Sequence, residues 1–395
     1  MSAAKALALA LLLCLAAPAA ASAADPPQVG APAKATITLR AGQVLHPGHP
    51  VAMGLEYMKR LVELRSGGEI AVEILDPATL SGERDLIESI QMGKLDLIVI
   101  TTAPLYGFTP DFLVFDLPYV FPDPHVARKV LDGPFGEQTI QQARHVGLVG
   151  LAYFENGLRH VTTASKPVSR PEDLAGLRVR TLESRIHMDV FRKLGAIPVP
   201  LAFGDLYDQL RQGTLDAEEN PVSVIQTADL YKVQGHMAIT GHFYLPAPMF
   251  VSAGVWSKLT GRNRSLLQKA ALDSVQYHRV ISDYYMSPEA LDFLKSRMQV
   301  TENINGALWR KAVESVRSDY RNEIGGETID ELERELLRVS GDGSSGPSGS
   351  AGPGPVDPET AAAIAAGKEA AAAIAAGKGS AAALPDGKEA AAAGR

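Results

Sequence analysis

The stretches LIESIQMGKLD (residues 86–96) and LYDQLRQGTLD (residues 206–216) repeat one pattern 120 positions apart. Each predicts an amphipathic helix, a glycine that ends the helix, and a Leu-Asp pair that leads into a strand. Two explanations stay open. The pattern is common among α/β proteins, and it also fits two similar α/β lobes, one around each copy. The coinciding residues are Leu86, Ile90, Gly93, Leu95 and Asp96 in the first copy and Leu206, Leu210, Gly213, Leu215 and Asp216 in the second.

Helices and strands alternate on both sides of these stretches. ATITLRAGQVL (residues 35–45) predicts a first strand, an amphipathic helix follows over residues 51–65, and a buried strand is predicted at KLDLIVITT (residues 94–102). The alternation resumes over residues 146–220 and indicates an α/β chain with largely parallel sheets. Residues 260–338 are mainly helical in pattern, and a long helix there could brace two lobes.

The composition is that of a soluble globular protein without an excess of positive charge. Hydrophobic residues make up 46% of the 395 residues, charged residues 21%, and the formal net charge is -7. No run of Lys and Arg stands out, so we expect no nucleic-acid partner. His46 and His49 lack a third ligand at a recognisable spacing, so we predict no metal site. An acidic protein that binds an anion needs locally placed donors.

The N-terminus predicts an export signal that is cleaved. Lys5 precedes an apolar run over residues 6–17, and Ala-Ser-Ala at residues 21–23 forms a cleavage site that would release residues 1–23. The apolar run is too short to span a bilayer. Cys14 is the only cysteine, so the exported protein would contain no disulfide and its domains would depend on core burial.

The C-terminal residues 341–395 form a separable segment in the sequence. GDGSSGPSGSAGPGPVDP is a Gly/Ser/Pro linker, and the repeat AAAIAAGK that follows has high helix propensity interrupted by Gly367 and Gly377. The tail has almost nothing large to bury. We therefore predict that it is disordered or transiently helical.

The short strand predicted at GLRVR (residues 176–180) places two arginines on one face. Leu177 and Val179 alternate with Arg178 and Arg180, as in a half-buried strand. A guanidinium suits a carboxylate because its fork donates two parallel hydrogen bonds and stays charged. The spacing alone leaves the alternative that both arginines are solvated or form salt bridges.

Ligands of open α/β sheets collect outside the carboxyl ends of the strands. Arg180 ends one predicted strand, Asn220 follows another (TLDAEE), and Thr101 ends a third (LDLIVI). If the chain forms two facing lobes, these three residues would converge in the cleft between them.

Each of the other candidates has a purely structural alternative. Arg159 in ENGLRHVTT has the same ambiguity as Arg180. Asn220 precedes Pro221 and could cap a helix, and Phe203 could belong to the core or pack against its own helix. Glu83 lies at a predicted helix start, where a carboxylate interacts favourably with the helix dipole.

Several segments closely resemble the DctP-type solute-binding proteins of TRAP transporters. They are GLRVRTLES and the residues after it up to the stretch ITGH (176–242), LSGERDLIESIQMGKLDL (80–97), VFDLPYVFPDPHVARKVLDGPFG (114–136) and ENGLRHVTTASKPV (155–168). The resemblance covers about residues 36–335 with matching order and spacing, and it does not extend to the Ala/Gly tail.

The resemblance implies a two-lobed α/β periplasmic binding protein fold, type II-like, with a long spine helix that bridges the lobes. Residues 35–156 with 247–284 would form lobe I, and residues 157–246 with 285–338 would form lobe II. It also implies a periplasmic protein, released by cleavage near Ala23, that passes a small organic acid to the membrane subunits of a TRAP transporter. We expect a monomer without a cofactor.

The resemblance also assigns roles in ligand binding. The arginine of the family's GLKxR motif, which pairs with the ligand carboxylate, falls on Arg180, so Arg178 would be the surface arginine. Gly204 stands where many members have a serine at a helix start. The complete set of ligand-binding residues predicted in this way is Arg180, Arg159, Asn220, Phe203, Glu83 and Thr101.

Three functions compete at this point. The main hypothesis is a periplasmic binding protein for an organic acid, such as a C4-dicarboxylate, a sugar acid, or a keto or hydroxy acid. The second is a secreted enzyme acting on a carboxylate, which the absence of GxSxG, HExxH, Walker and cysteine-nucleophile motifs disfavours. The third is an adhesive or structural exported protein that uses its repetitive tail.

Overall fold

The computed structural model describes residues 35–341 and, in the C-terminal tail, residues 362, 363, 365–367, 369 and 373. The predicted signal peptide, residues 1–23, and the Gly/Ser/Pro linker beyond Gly341 lie outside the described residues. Among the described residues, no helix is both long and apolar enough to cross a membrane.

The described strands belong to one sheet in the order β2-β1-β3-β8-β4-β7-β5-β6, with β9 also paired to β8. The strands are β1 (Ile37–Gly42), β2 (Ile70–Ile74), β3 (Leu97–Val99), β4 (Leu148–Thr163), β5 (Arg178–Thr181), β6 (Ile197–Pro200), β7 (Ala217–Asn220), β8 (His236–Ser252) and β9 (Gln299–Thr301).

Helices connect the strands and cover the sheet. The α-helices are α1 (Pro50–Arg65), α2 (Glu83–Gln91), α3 (Pro124–Asp132), α4 (Pro134–Gln142), α5 (Arg185–Lys193), α6 (Leu206–Arg211), α7 (Val222–Thr227), α8 (Ala253–Lys258), α9 (Gly261–Tyr285), α10 (Pro288–Lys295), α11 (Gly306–Val313), α12 (Ser315–Asp319), α13 (Arg321–Ile324) and α14 (Gly326–Gly341). Short 3₁₀ turns cover Pro77–Thr79, Ala103–Gly107, Pro110–Asp116, Ala143–Val146, Pro171–Leu174, Phe203–Asp205 and Leu230–Lys232.

The sheet has two halves with the same internal order. In the first half, β1 lies between β2 and β3, and both pairings are parallel. In the second half, β5 lies between β6 and β7, again with parallel pairing. The long strands β4 and β8 run antiparallel to each other through both halves. The end of β8 pairs with β3, and the end of β4 pairs with β7.

The two copies of the repeated pattern make the same hydrogen bonds in the two halves. In the first, the backbone N–H and Nε of Arg40 both donate to Asp96 Oδ2, at 2.8 and 3.0 Å. In the second, the same two groups of Arg178 donate to Asp216 Oδ2, each at 2.9 Å. Each aspartate thus ties one strand to the loop before the neighbouring strand, which supports two similar α/β units over a chance match.

The glycine of each copy ends its helix in the left-handed conformation, as the sequence predicts. Gly93 has φ 71° and Gly213 has φ 69°, a region that glycine enters without steric cost. The carbonyl of each glycine accepts a further bond from the arginine that holds the aspartate, at 2.7 Å in both halves.

A long helix lies within residues 260–338, as the sequence pattern indicates: α9 has 25 residues. Helix α9 ends at Tyr285, and α10 begins after Ser287, whose hydroxyl accepts a bond from the Ala290 N–H. Proline at the first position of α10 has no N–H to continue the α9 ladder, which accounts for the break. Helix α9 packs along α1, where Tyr57 stacks on Tyr277 with 4.5 Å between ring centroids.

The described tail residues are helical, and Gly367 lies against Tyr277 of α9. A Cβ placed on Gly367 would come within 2.7 Å of Tyr277 Oη, so only glycine fits that approach. Ala363 packs against the hydrophobic core. The sequence predicts a disordered or transiently helical tail. Its small side chains supply helix propensity and also permit this close contact, which the sequence pattern does not reveal.

Candidate ligand-binding site

Arg180 lies near the carboxyl end of β5 and is fully buried, with 1% of its surface exposed. Its Nε and Nη2 both donate to the carbonyl oxygen of Leu201, at 2.9 and 2.7 Å, which fixes the orientation of the guanidinium. Its Nη1 has no hydrogen-bond partner among the described residues. Burial, reinforced by the nearby charge of Arg159, lowers the pKa of Arg180 to about 10, so the group is still a cation at neutral pH.

Arg178 differs sharply from Arg180, although both belong to β5. Its side chain is 42% exposed and forms an ion pair with Asp216, with 2.8 Å between Nη2 and Oδ1. The structure therefore places Arg178 at the surface and Arg180 in the interior, as the sequence resemblance implies.

Arg159 is buried and already neutralised. Its Nε donates to Glu219 Oε2 at 2.6 Å, and its Nη2 donates to Glu219 Oε1 at 2.8 Å. The Nη1 donates to Asn156 Oδ1 at 3.0 Å, and His242 Nε2 lies 3.2 Å from Glu219 Oε2. Burial alone would raise the pKa of Glu219, but the Arg159 charge holds it well below its usual range. A ligand would find few free donors on Arg159.

Glu83 and Thr101 are brought together by the first half of the sheet. Glu83 is the first residue of α2, and its carboxylate accepts bonds from the Thr101 N–H at 2.6 Å and from the Thr101 hydroxyl at 2.5 Å. Burial raises the pKa of Glu83, while these two bonds and the charges of Arg159 and Arg180 lower it. The carboxylate therefore lies within electrostatic reach of both buried arginines.

Asn220 is the last residue of β7, and it does not cap the helix that follows. Helix α7 begins at Val222 after Pro221, without a side-chain cap. The capping alternative is therefore wrong. The Asn220 Nδ2 instead donates to Glu218 Oε2 at 2.6 Å, because the two side chains project from the same face of the strand.

Phe203 opens a short 3₁₀ turn and is half-buried. Its ring meets His46 edge to face, with 6.1 Å between centroids, and this contact joins the two halves of the sheet. The next residue, Gly204, donates its N–H to the carbonyl of Ser81 at 3.4 Å. A Cβ on Gly204 would lie 3.2 Å from that oxygen, so glycine permits this close approach.

Asp116 is a buried group of the site that sequence reasoning missed. Its carboxylate accepts a bond from Thr102 at 3.2 Å and a bond from Ser184, in the second half, at 2.8 Å. The His187 Nε2 lies 3.9 Å away. Burial raises the pKa of Asp116 to about 7. A lone acid inside the apolar run FLVFDLPYVF was the available signal.

Two adjacent acids of β7, Glu218 and Glu219, were also missed. Both are fully buried, and both hold predicted site residues: Glu219 holds Arg159, and Glu218 holds Asn220. Their signal was the pair of carboxylates in DAEEN, immediately before the predicted asparagine. Among the described residues, no group of three or more His, Cys, Asp and Glu side chains could hold a metal ion.

A cavity of about 520 Å³ lies elsewhere, between the segment after the 3₁₀ turn Pro110–Asp116 and helices α11 and α14. Most of its charged side chains already interact with a neighbouring side chain. Arg310 lies over the Tyr119 ring at 5.2 Å, and Arg317 pairs with Glu333 at 2.9 Å. None of the predicted site residues lines it.

The fold consists of two similar α/β halves that are joined by long crossing strands, with the buried guanidinium of Arg180 between them. This arrangement defines the class of two-lobed binding proteins. Residues 41–323 match the family described as bacterial extracellular solute-binding protein, family 7. The chain belongs to this family, and the predicted two-lobed α/β fold is confirmed by its structural neighbours.

Three of the similar proteins are described as solute-binding proteins. A "solute-binding protein" of Verminephrobacter eiseniae is 31% identical over 76% of this chain and 90% of that protein. A TRAP periplasmic solute-binding protein from Polaromonas, bound to D-erythronate, is 34% identical with a TM-score of 0.73. One from Bordetella, whose ligand density is assigned to pantoate, is 34% identical with a TM-score of 0.72. Both alignments cover 75% of this chain and 98% of the other.

Proposed function

We propose that this protein captures a small organic acid outside the cytoplasm and delivers it to the membrane subunits of a TRAP-type transporter. In this proposal the ligand carboxylate pairs with Arg180 in the cleft between the two halves of the sheet. The observation that carries it is the Nη1 of Arg180, a buried cationic donor without a partner among the described residues.

A buried donor of this kind calls for an acceptor. Native proteins satisfy nearly all of their buried polar groups, and an unpaired one costs about 1–3 kcal/mol, more if it is charged. The Leu201 carbonyl uses the Nε and Nη2 donors, which leaves the Nη1 side of the fork free. A carboxylate there would supply both the acceptor and the counter-charge.

The relatives agree with this assignment. D-erythronate and pantoate, the ligands of the Polaromonas and Bordetella proteins, each carry one carboxylate together with hydroxyl groups. A carboxylate is thus the shared feature for Arg180 to recognise, and the rest of the ligand would set the specificity.

The other predicted residues have supporting roles in this proposal. Arg159 adds positive potential beside Arg180, although Glu219 takes up most of its donors. Glu83 and Thr101 close the site from the first half, and Phe203 offers an apolar face from the second. The protein would act as a periplasmic monomer, with no catalytic step, cofactor or nucleic acid.

A thermal-shift panel of acids tests this function. The mature protein is heated alone and with D-erythronate, pantoate, galactonate or succinate at millimolar concentration. Because a ligand that binds only the folded state raises its melting temperature, we expect at least one acid to stabilise the protein and to be recovered unchanged by NMR. Conversion of the acid would support the secreted enzyme instead. Indifference to every acid would overturn binding.

A further inference from the structure

Two loops that follow the outermost strands of the sheet touch each other. In the order of the described strands, β2 and β6 are the two ends, and the crossing strands β4 and β8 lie between them. The loop after β2 nevertheless meets the loop after β6, since the Gly204 N–H donates to the carbonyl of Ser81 at 3.4 Å. The two halves of the sheet therefore face each other at this point.

This contact between the halves depends on small side chains. Ala202 follows Gly82 by 120 positions, the spacing of the repeated pattern, so the two residues occupy corresponding places in the two halves. A Cβ placed on Gly82 would lie 3.1 Å from the Ala202 Cβ, and one placed on Gly204 would lie 3.2 Å from the Ser81 oxygen. Both spacings are shorter than an ordinary van der Waals contact. A larger side chain in either loop would hold the two loops apart.

The loop of the second half is attached to the proposed carboxylate site through Arg180. The Nε and Nη2 of Arg180 both donate to the carbonyl of Leu201, the residue immediately before Ala202. The proposed ligand carboxylate would use the remaining Nη1 of the same guanidinium, which is rigid and planar. One group therefore orients the loop and binds the ligand, so the position of the loop depends on the position of the ligand.

We infer, on the basis of the proposed function, that residues 81–82 and 202–204 form the gate of the ligand site and that Arg180 couples this gate to the ligand. In strand order the gate lies farthest from β4 and β8, so a rotation of the halves about these strands separates the gate most. A closed gate slows the dissociation of the ligand without touching it. Gly82, Ala202 and Gly204 are thus positioning residues, which act through the closed state.

A pair of introduced cysteines tests whether the gate closes around a ligand. Without residues 1–23 the protein has no native thiol, because Cys14 is the only cysteine. In Gly82→Cys/Ala202→Cys the Cβ atoms would lie near the spacing of a disulfide, roughly 3.5–4.5 Å. We expect at least one of four probes (D-erythronate, pantoate, galactonate and succinate) to speed disulfide formation about tenfold and to stay bound to the oxidised protein through gel filtration. Gly82→Cys alone is the control and should release the probe.

Stopped-flow kinetics of Ala202→Leu with the same probes give a second test. The larger side chain overpacks the gate only when the halves meet, so the dissociation rate should rise about tenfold or more. The association rate and the melting temperature of the ligand-free protein should stay near their wild-type values, whereas a merely structural residue would lower that melting temperature. The matched control is Ala78→Leu. Ala78 is exposed in the 3₁₀ turn Pro77–Thr79, in the loop that leads to the gate, and this variant should release the probe at the wild-type rate.

The outcomes separate the gate from the proposed function. If the disulfide fails to form both with and without the probes, the gate is wrong. Formation at one rate with and without a probe that stabilises the wild-type protein would overturn the coupling to the ligand, and so would unchanged dissociation from Ala202→Leu. If none of the four acids stabilises the wild-type protein, the proposed function fails, while disulfide formation still decides whether the two loops meet.

Discussion

Replacing Arg180 tests the central feature of the site. Arg180→Met keeps much of the apolar stem but removes the cation, so a bound carboxylate would be buried without its partner. Truncating one member of a buried, hydrogen-bonded charge pair costs about 2–5 kcal/mol, which corresponds to roughly 30-fold to several thousand-fold in affinity. The upper part of this range is expected, because Arg180 is only 1% exposed and water cannot replace the lost donor.

Two further variants test whether ligand binding depends on the charge of Arg180, on its planar shape, and on Arg180 in particular. Arg180→Lys keeps the charge but cannot hold the Leu201 carbonyl and a carboxylate with one planar fork, so a smaller but clear loss is expected. Arg178→Met is the control. Its ion pair with Asp216 is exposed, and such pairs contribute little to stability, so ligand affinity should be nearly unchanged.

The assay is calorimetric titration of the three variants with the acid that stabilises the wild-type protein most. Circular dichroism and melting temperature must show that each variant is folded, because the loss of two bonds to Leu201 also affects stability. If Arg178→Met weakens binding more than Arg180→Met does, the assignment of the cleft arginine is wrong.

The tail, lobe closure and Asp116 each allow a further test. Truncation after Gly341 should change ligand affinity by less than about tenfold, but it should lower the melting temperature, because the tail contact with Tyr277 is lost; a larger loss of affinity would give the tail a role in binding. A saturating ligand should reduce the radius of gyration in small-angle scattering, since a ligand that contacts both halves favours the closed state; superimposable curves would contradict closure. Burial raises the pKa of Asp116 to about 7 from an ordinary value near 3.8, so the folded state binds a proton more tightly than the unfolded chain, and this group destabilises the fold as pH rises from about 4 to 7. Asp116→Asn should remove up to about 1.4 kcal/mol of that loss per pH unit in urea unfolding, and parallel pH profiles of the two proteins would refute the assignment.

Much of the architecture could be predicted from local patterns. The helix expected at residues 51–65 is α1, which starts one residue earlier because Pro50 fits its first turn and His49 accepts the Val51 N–H. The repeat at residues 86–96 and 206–216 left two similar lobes open as one of two explanations, and the matching hydrogen bonds of the two halves support that explanation. These features are local in origin, since side-chain periodicity and end caps depend on residues only a few positions apart.

The candidate site was predicted less completely. The family resemblance selected Arg180 over Arg178, whereas strand alternation treats the two alike. It also placed Arg159 among the ligand-binding residues, and the structure shows Arg159 bonded to Glu219. The sequence analysis missed Asp116, although a lone acid inside an apolar run was an available signal.

The sequence by itself determined the α/β class, the repeated pattern and the approximate ends of the strands, because these follow from hydrophobic spacing, glycine and proline. Only the tertiary structure decided which buried polar groups have hydrogen-bond partners. Asn220 bonds Glu218 instead of capping α7, and Arg180 keeps a buried N–H without a partner among the described residues, while Arg159 does not. Hydrogen-bond partners such as Arg159 and Glu219 lie 60 positions apart in the chain, and which donors they leave free depends on how the strands pair and pack.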